Sequence, residues 1–321
     1  MHVLELQSFS ADQLNQWIET ALAVKAHPER YRDALTDKTL YMLFEKTSTR
    51  TALSFGVGMQ ELGGSYFMQK WEDSNFPLGA IENEVRYVAR NVDAIMARLK
   101  QHTTVQRMAA SSPVPVINGC CDKHHPCQGF ADLLTICEIF GGWNVKLLYI
   151  GILNNVFNTL ASSLPRLGGE LLALTPMINQ ASLDENLLAQ AASTGRFTQL
   201  DATALDHAAV QKLLREVDIV YTDTWVDMEF FNNPAFEAAK AHRLATMLPY
   251  QLNEELLQGS TCRVMHDMPM HPGYEITRGV IETHIETILQ QAENRRHAQK
   301  AMLLHLLCDD LSIVTPQYKK Y

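Results

Sequence analysis

The sequence predicts an α/β fold of two domains, each with a parallel sheet flanked by helices. Short apolar runs alternate with segments of helical period along most of the chain, the pattern left by strands joined through crossover helices. The 321 residues suffice for two domains of ordinary size, and a hydrophobic share of 46% gives each its own core. A helical run from Gln128 to Phe140 stops at Gly141-Gly142, and a new apolar run starts at Val145, which places the domain boundary between them.

Residues 11–25 pattern as the first helix, and the run 39–45 as the first strand, passing directly into a helix over 50–62. Strands at 65–69 and 93–98 bracket a helix at 80–91, and a strand at 114–118 precedes the helix 128–140. Beyond the boundary, strands at 146–151, 169–175, 197–200, 218–222 and 263–267 alternate with helices at 182–194 and 204–216. The last helix, 279–308, carries Glu293-Asn294-Arg295-Arg296-His297 on polar turns and Ala301, Met302, Leu304 and Leu307 on an apolar face. Residues 1–140 are expected to form the first domain, completed by the C-terminal segment 291–321, and residues 141–290 the second.

Composition excludes several classes of function. A net charge of −9 argues against a nucleic-acid or anionic-membrane partner, since both favour basic surfaces. Met1 to Ala23 has polar and acidic residues among its apolar positions, unlike a signal peptide. No run reaches the roughly 18 apolar residues of a membrane span. The six cysteines show no disulfide framework, so a cytoplasmic location is expected.

The junction after the first strand, Lys46-Thr47-Ser48-Thr49-Arg50-Thr51, is a strand-to-helix turn suited to an anion. The first N–H groups of a helix lack internal partners, its dipole favours negative charge there, and hydroxyls with one guanidinium complete a cradle. The bland alternative is a capping serine or threonine beside a surface arginine. Ile150-Gly151-Ile152-Leu153-Asn154-Asn155 stands where a dinucleotide fold has its glycine fingerprint, but one glycine alone disfavours that cofactor.

Cys120-Cys121-Asp122-Lys123-His124-His125-Pro126-Cys127-Gln128 raises the question of zinc. No second cluster answers it, so no metal is expected. Pro126 instead starts a helix, which lets His125 and Gln128 point together into a cleft, where an imidazole could polarise a carbonyl. Three strand ends carry polar residues: Arg98, then Asp223 with Asp227 and Met228, then His266 with Asp267 and Met268. Ligands of open α/β sheets bind beyond such ends.

Taken together, these motifs resemble the aspartate/ornithine carbamoyltransferase family, ornithine enzymes most of all. Phe44 to Thr51 is similar to its carbamoyl phosphate motif, His125-Pro126-Cys127-Gln128 to its HPxQ motif, and Glu293-Asn294-Arg295 to its terminal ENR. Asp223-Thr224-Trp225 with Met228 covers most of its DxWxSMG loop, and His266, Pro269 and His271 its HCLPxH segment. The resemblance implies two α/β domains joined by crossing helices, a homotrimer, no cofactor, and carbamoyl phosphate plus an amine acceptor as substrates. It implies that Ser48, Thr49, Arg50, Thr51 and Arg98 bind phosphate, and that His125, Gln128 and Arg295 address the carbamoyl group. Asn155, Asp223 and Met228 match positions that hold the α-amino acid end of ornithine.

The departures fall mainly on the acceptor side. Asp227 replaces the family's serine, Glu229 its glycine, and Asp267-Met268 its Cys-Leu, while Ile152-Leu153 and Asn83-Glu84-Val85 also differ. On the phosphate side, Ala52 stands where a second arginine is usual. The sequence therefore predicts carbamoyl transfer to ornithine or a related diamine or diamino acid. A silent carbamoyl phosphate-binding paralogue or regulatory subunit is the alternative.

Overall fold

A computed structural model of the protein describes residues 1–226 and 234–308. The chain divides into two compact units, residues 1–141 with 293 onward, and residues 142–292. It passes between them after Gly141 and again within the last helix.

In the first unit, strands β1 (Thr39–Phe44), β2 (Ser65–Lys70), β3 (Ala94–Arg98) and β4 (Val116–Cys120) form a parallel sheet of order β2-β1-β3-β4. Helices α1 (Ala11–Ala26), α2 (Thr49–Glu61), α3 (Ile81–Val88), α4 (His102–Ser111) and α5 (Pro126–Phe140) accompany it. The central strands β1 and β3 are almost wholly buried, as parallel strands covered on both faces must be. One core packs Leu43, Ile95 and Ala97 against Val85, Val105 and Met108. α1 starts with a capping box between Ser10 and Gln13, which satisfies two otherwise orphaned N–H groups.

The second unit has five parallel strands, β5 (Lys146–Leu153), β6 (Glu170–Ile178), β7 (Phe197–Gln199), β8 (Ile219–Thr222) and β9 (Arg263–His266), in the order β7-β6-β5-β8-β9. Its helices are α6 (Asn155–Leu167), α7 (Glu185–Ser193), α8 (His207–Glu216) and α9 (Glu237–Met247), and α10 (Arg278–Leu307) runs from this unit into the first. The order reverses direction at β5 and β8, so the strand ends next to that switch are where a ligand crevice is expected. Asp184 and Asp206 cap α7 and α8 through the N–H groups of Leu187 and Ala209.

All nine predicted strands are present, and three helices come in addition to the predicted ones: α4, α6 and α9. α6 is the instructive case, because ten of its thirteen residues are buried and four of these are Asn158, Thr159, Ser162 and Ser163. The hydroxyls of the last three donate back to helix carbonyls, Thr159 to Asn155 at 2.9 Å, Ser162 to Thr159 at 3.0 Å and Ser163 to Thr159 at 2.7 Å, while the Asn158 amide donates to the Ser182 carbonyl at 2.6 Å. Polar atoms satisfied in this way can be buried beside apolar ones, so the polar side of this helix is covered as well. α4 opens on His102-Thr103-Thr104, three weak helix formers.

Candidate active site

The phosphate-suited junction is built by β1 delivering the chain to the N-terminus of α2. Ser48 is the N-cap, and its Oγ accepts the Thr51 N–H at 3.2 Å. The first turn holds no acidic residue, so the positive end of the helix dipole has no internal counter-charge. The capping and anion readings of this segment are therefore compatible. Thr51 itself is fully buried.

Arg295, nearly fully buried on α10, reaches that helix and α5 at once. Its Nη2 donates to Thr51 Oγ1 at 3.0 Å and its Nη1 to Gln128 Oε1 at 2.7 Å. Gln128 Nε2 donates in turn to Asp132 Oδ1 at 2.9 Å, one turn along α5, so the amide is held in one orientation. The adjacent Asn294 donates to Thr135 Oγ1 at 2.9 Å and Glu138 at 2.7 Å, and Lys25 of α1 pairs with Glu138 at 2.8 Å. Polar bonds thus lock the register between α5 and α10.

Arg98 ends β3 beside a register shift, where Ala97 pairs with Asn118 but Arg98 with Cys120. The bulge leaves Gly119 unpaired. A Cβ there would lie 2.5 Å from Met96 Sδ and 3.2 Å from Arg98 Cβ, so a larger residue would displace the side chains packed against the bulge. His125, buried at the start of α5, is pushed well below its usual pKa by burial first and then by Arg295, Arg98 and Arg50. It is a neutral imidazole at pH 7, in a field of three guanidiniums. The structure thus gathers Arg50, Thr51, Arg98, His125, Gln128 and Arg295 in the first unit. The neighbouring thiols of Cys121 and Cys127 are pushed up to about 12 by burial.

In the second unit the residues expected on the acceptor side stand at the ends of β5, β8 and β9. Asp223 is buried, accepts the Thr224 N–H at 2.8 Å on Oδ1, and accepts Asn154 Nδ2 at 2.7 Å on Oδ2. Burial first, and then the Asp267 carboxylate, raise its pKa to about 7. The same two carboxylates help hold the buried Tyr149 phenol protonated, with burial again the main cause. Met268 donates its N–H to His266 Nδ1 at 2.7 Å, so that histidine's proton lies on Nε2, which faces Glu275 Oε1 at 3.2 Å. Glu275 also accepts the His271 N–H at 2.6 Å, and these bonds depress its pKa to about 2 against the opposing effect of burial. His271 Nδ1 meets Thr224 Oγ1 at 3.0 Å, tying the β8 and β9 loops together. Met268 has a φ of 65°, a strained conformation for a non-glycine residue. Asp227 and Met228 lie outside the described residues.

Residues 1–138 match the carbamoyl-phosphate-binding domain of aspartate/ornithine carbamoyltransferase, and residues 143–306 match its Asp/Orn-binding domain. The chain belongs to the aspartate/ornithine carbamoyltransferase family. The ornithine carbamoyltransferase of Archaeoglobus fulgidus is 37% identical over 314 residues, 95% of this chain and 97% of the relative. Among solved structures, ornithine carbamoyltransferase from Pyrococcus furiosus superposes with a TM-score of 0.85 at 34% identity, covering 96% of this chain and 97% of that one. The anabolic enzyme from Campylobacter jejuni gives 0.84 at 28% identity, with 95% and 98% covered.

This carbamoyltransferase also contains polar residues that sequence motifs did not single out. Asn154 is both the N-cap of α6, accepting from Val156 and Phe157, and the donor to Asp223; Asn155 stands beside it as the first residue of the helix. An Asn directly before a helical run is a readable capping signal. Asp132, Tyr149 and Glu275 carry no such signal: their partners lie within nine positions in sequence, but spacing alone does not show which side chains the fold turns toward one another. No helix among the described residues of the carbamoyltransferase is long and apolar enough to cross a membrane.

Proposed function

We propose that this carbamoyltransferase carries the carbamoyl group of carbamoyl phosphate to the side-chain amine of an ornithine-like diamine or diamino acid, with a preference that departs from ornithine at the reacting end. The approach of the partly exposed Asp267 to the buried Asp223 carries this reading. Two carboxylates this close repel, and a substrate ammonium beside them relieves the repulsion. Asp267 stands where the family pattern has cysteine, so this demand for positive charge is a property of this chain.

In this proposal the start of α2, Ser48, Thr49, Arg50, Thr51 and Arg98 hold the phosphate. His125, Gln128 and Arg295 face the carbamoyl oxygen, where a neutral imidazole and two guanidinium-linked donors stabilise the charge that develops on it. The amine attacks the carbonyl carbon, the new C–N bond forms, and the C–O bond to phosphate breaks. No covalent bond to the protein is needed. An alkylamine with a pKa of about 10.4 is neutral in only about one molecule in a few thousand at pH 7. Positioning both substrates contributes roughly 7 kcal/mol or more, against about 3 kcal/mol for one oxyanion donor. Asn155, Asp223 and Met228 hold the amino acid head, and His266, Asp267, Met268 and Asp227 shape the acceptor's other end. A homotrimer in the cytoplasm is part of the same proposal, as the family resemblance implies.

Phosphate release from carbamoyl phosphate, measured across a panel of diamines and diamino acids, tests it. The expected result is a higher kcat/KM for another diamino compound than for ornithine. Ornithine as the best acceptor would return the enzyme to the plain ornithine reading, and no release with any amine would support a silent paralogue.

A further inference from the structure

Glu5, His102 and His124 lie far apart in sequence but bring one donor atom each within 4.8 Å of one another in the first unit. Glu5 Oε2 is 3.1 Å from His124 Nε2 and 3.9 Å from His102 Nε2. The two rings approach edge-on, with centroids 5.0 Å apart at 69°. The side chains of both histidines are largely shielded, at 3% and 11% exposure, while Glu5 keeps 23% and so leaves an opening to solvent.

We propose that these three side chains form a binding site for a divalent transition metal of the zinc class. Zinc binds histidine nitrogen and carboxylate oxygen at about 2.0–2.2 Å, which in a tetrahedron sets ligand atoms roughly 3.3–3.5 Å apart. The observed 3.1 and 3.9 Å from Glu5 bracket that spacing, and all three donor atoms lie within 4.8 Å of one another, so the two rings need a small approach to close on an ion. Two imidazoles and one carboxylate, with a fourth position open to water, make a borderline-soft donor set.

Each ligand stands on independently anchored backbone. Val3 bridges to the edge of β4 by bonds to Val116 and Asn118, each 2.8 Å, and Asn118 Nδ2 holds the Leu4 carbonyl at 2.9 Å just before Glu5. The His102 N–H donates to Asp122 Oδ1 at 2.7 Å. The His124 carbonyl accepts the Cys121 N–H at 3.0 Å. The ligand geometry therefore exists before a metal arrives. His102 Nδ1 lies 3.4 Å from Cys121 Sγ; with the ring proton on that nitrogen, the Nε2 lone pair faces Glu5 and His124. Such an outer partner is the usual device that fixes a ligand tautomer. His124 Nδ1 has no hydrogen-bond partner among the described residues, so the outer shell is half complete, which weakens binding by about 10- to 100-fold relative to a fully supported site. The cysteine-histidine segment, from which no metal was expected, contributes one ligand, His124; the other two arrive from the N-terminal segment and from α4. His124 directly precedes His125, so an occupied site would hold the loop that presents the candidate catalytic imidazole.

The test uses the full-length protein freed of metal by chelator. Zinc is titrated against a chromophoric chelator, bound metal is counted by mass spectrometry, and the cobalt-substituted protein is examined by absorption. The expected result is one zinc per chain, cobalt d–d bands without a thiolate charge-transfer band, and at least 10-fold weaker binding in both Glu5→Gln and His102→Gln, with circular dichroism unchanged. The proposal is overturned if the wild type holds no zinc, if both variants bind as tightly as wild type, or if a thiolate band places the metal on cysteine. Should a variant fail to fold, the wild-type stoichiometry and cobalt spectrum decide alone.

Discussion

Arg295 donates to Gln128 Oε1 at 2.7 Å across 167 positions of sequence, and the same guanidinium reaches Thr51 at 3.0 Å. One side chain thereby sets the spacing between α2, whose N-terminus is the candidate anion cradle, and α5, which carries His125. A point charge on a flexible stem cannot reproduce both bonds, because they use the two ends of a planar fork.

Arg295→Lys is accordingly expected to keep the fold and the positive charge while lowering turnover by about 10²-fold. Steady-state phosphate release with circular dichroism measures this. Turnover within a few-fold of wild type would show that charge alone suffices at this position.

His125→Ala should lower kcat by about 10²-fold or more, with a smaller change in KM for carbamoyl phosphate, because a carbonyl-polarising donor acts mainly in the transition state. Its neutral state at pH 7 follows from burial and three guanidiniums, so the residue donates without adding charge. A KM effect larger than the kcat effect would assign it to ground-state binding.

Asp223 gives a pH dependence with a definite sign. Its folded pKa is raised to about 7, so below that value it is protonated and attracts an ammonium poorly. Acceptor KM should fall as pH rises through about 7, and Asp223→Asn should flatten that limb while raising KM overall. The linkage to stability runs the other way: ionising a buried group whose pKa is raised costs folding free energy from about pH 4 upward, reaching its full value above about 7. Parallel initial-rate and thermal-unfolding profiles of wild type and variant check both signs.

Glu275 shows the opposite case. Its pKa is depressed to about 2 by His266 and His271, so its stabilising contribution is present above about pH 4.5 and lost as pH falls through about 2. Glu275→Gln should cost on the order of 2–3 kcal/mol at pH 7, a difference that shrinks in that acidic window. Denaturant titrations at pH 7 and pH 3 provide the comparison.

Acceptor choice is expected to follow the carboxylates. Asp267→Cys combined with Asp227→Ser should move preference toward ornithine by about 10-fold or more in competition kinetics. An unchanged ranking of acceptors would remove these side chains from specificity.

The amino-acid sequence alone determined the alternation of strands and helices, because period-2 and period-3.6 apolar patterns are local properties of a chain that must bury one face of each element. It also made the family legible, since a turn such as Ser48 to Thr51 or a Pro126 helix start is encoded in consecutive residues. What it did not show is α6, whose buried serines and threonines are satisfied by their own helix, and the partners of Asp223, His266 and Arg295. Those depend on Asn154, Glu275 and Gln128 arriving from other segments. Only the tertiary structure decided that His125 is neutral, that Asp223 titrates near 7, and that Glu5 meets two histidines. Burial and charge proximity are properties of three-dimensional packing, and a pKa or a ligand set exists only after long-range contacts have brought distant residues within a few ångströms.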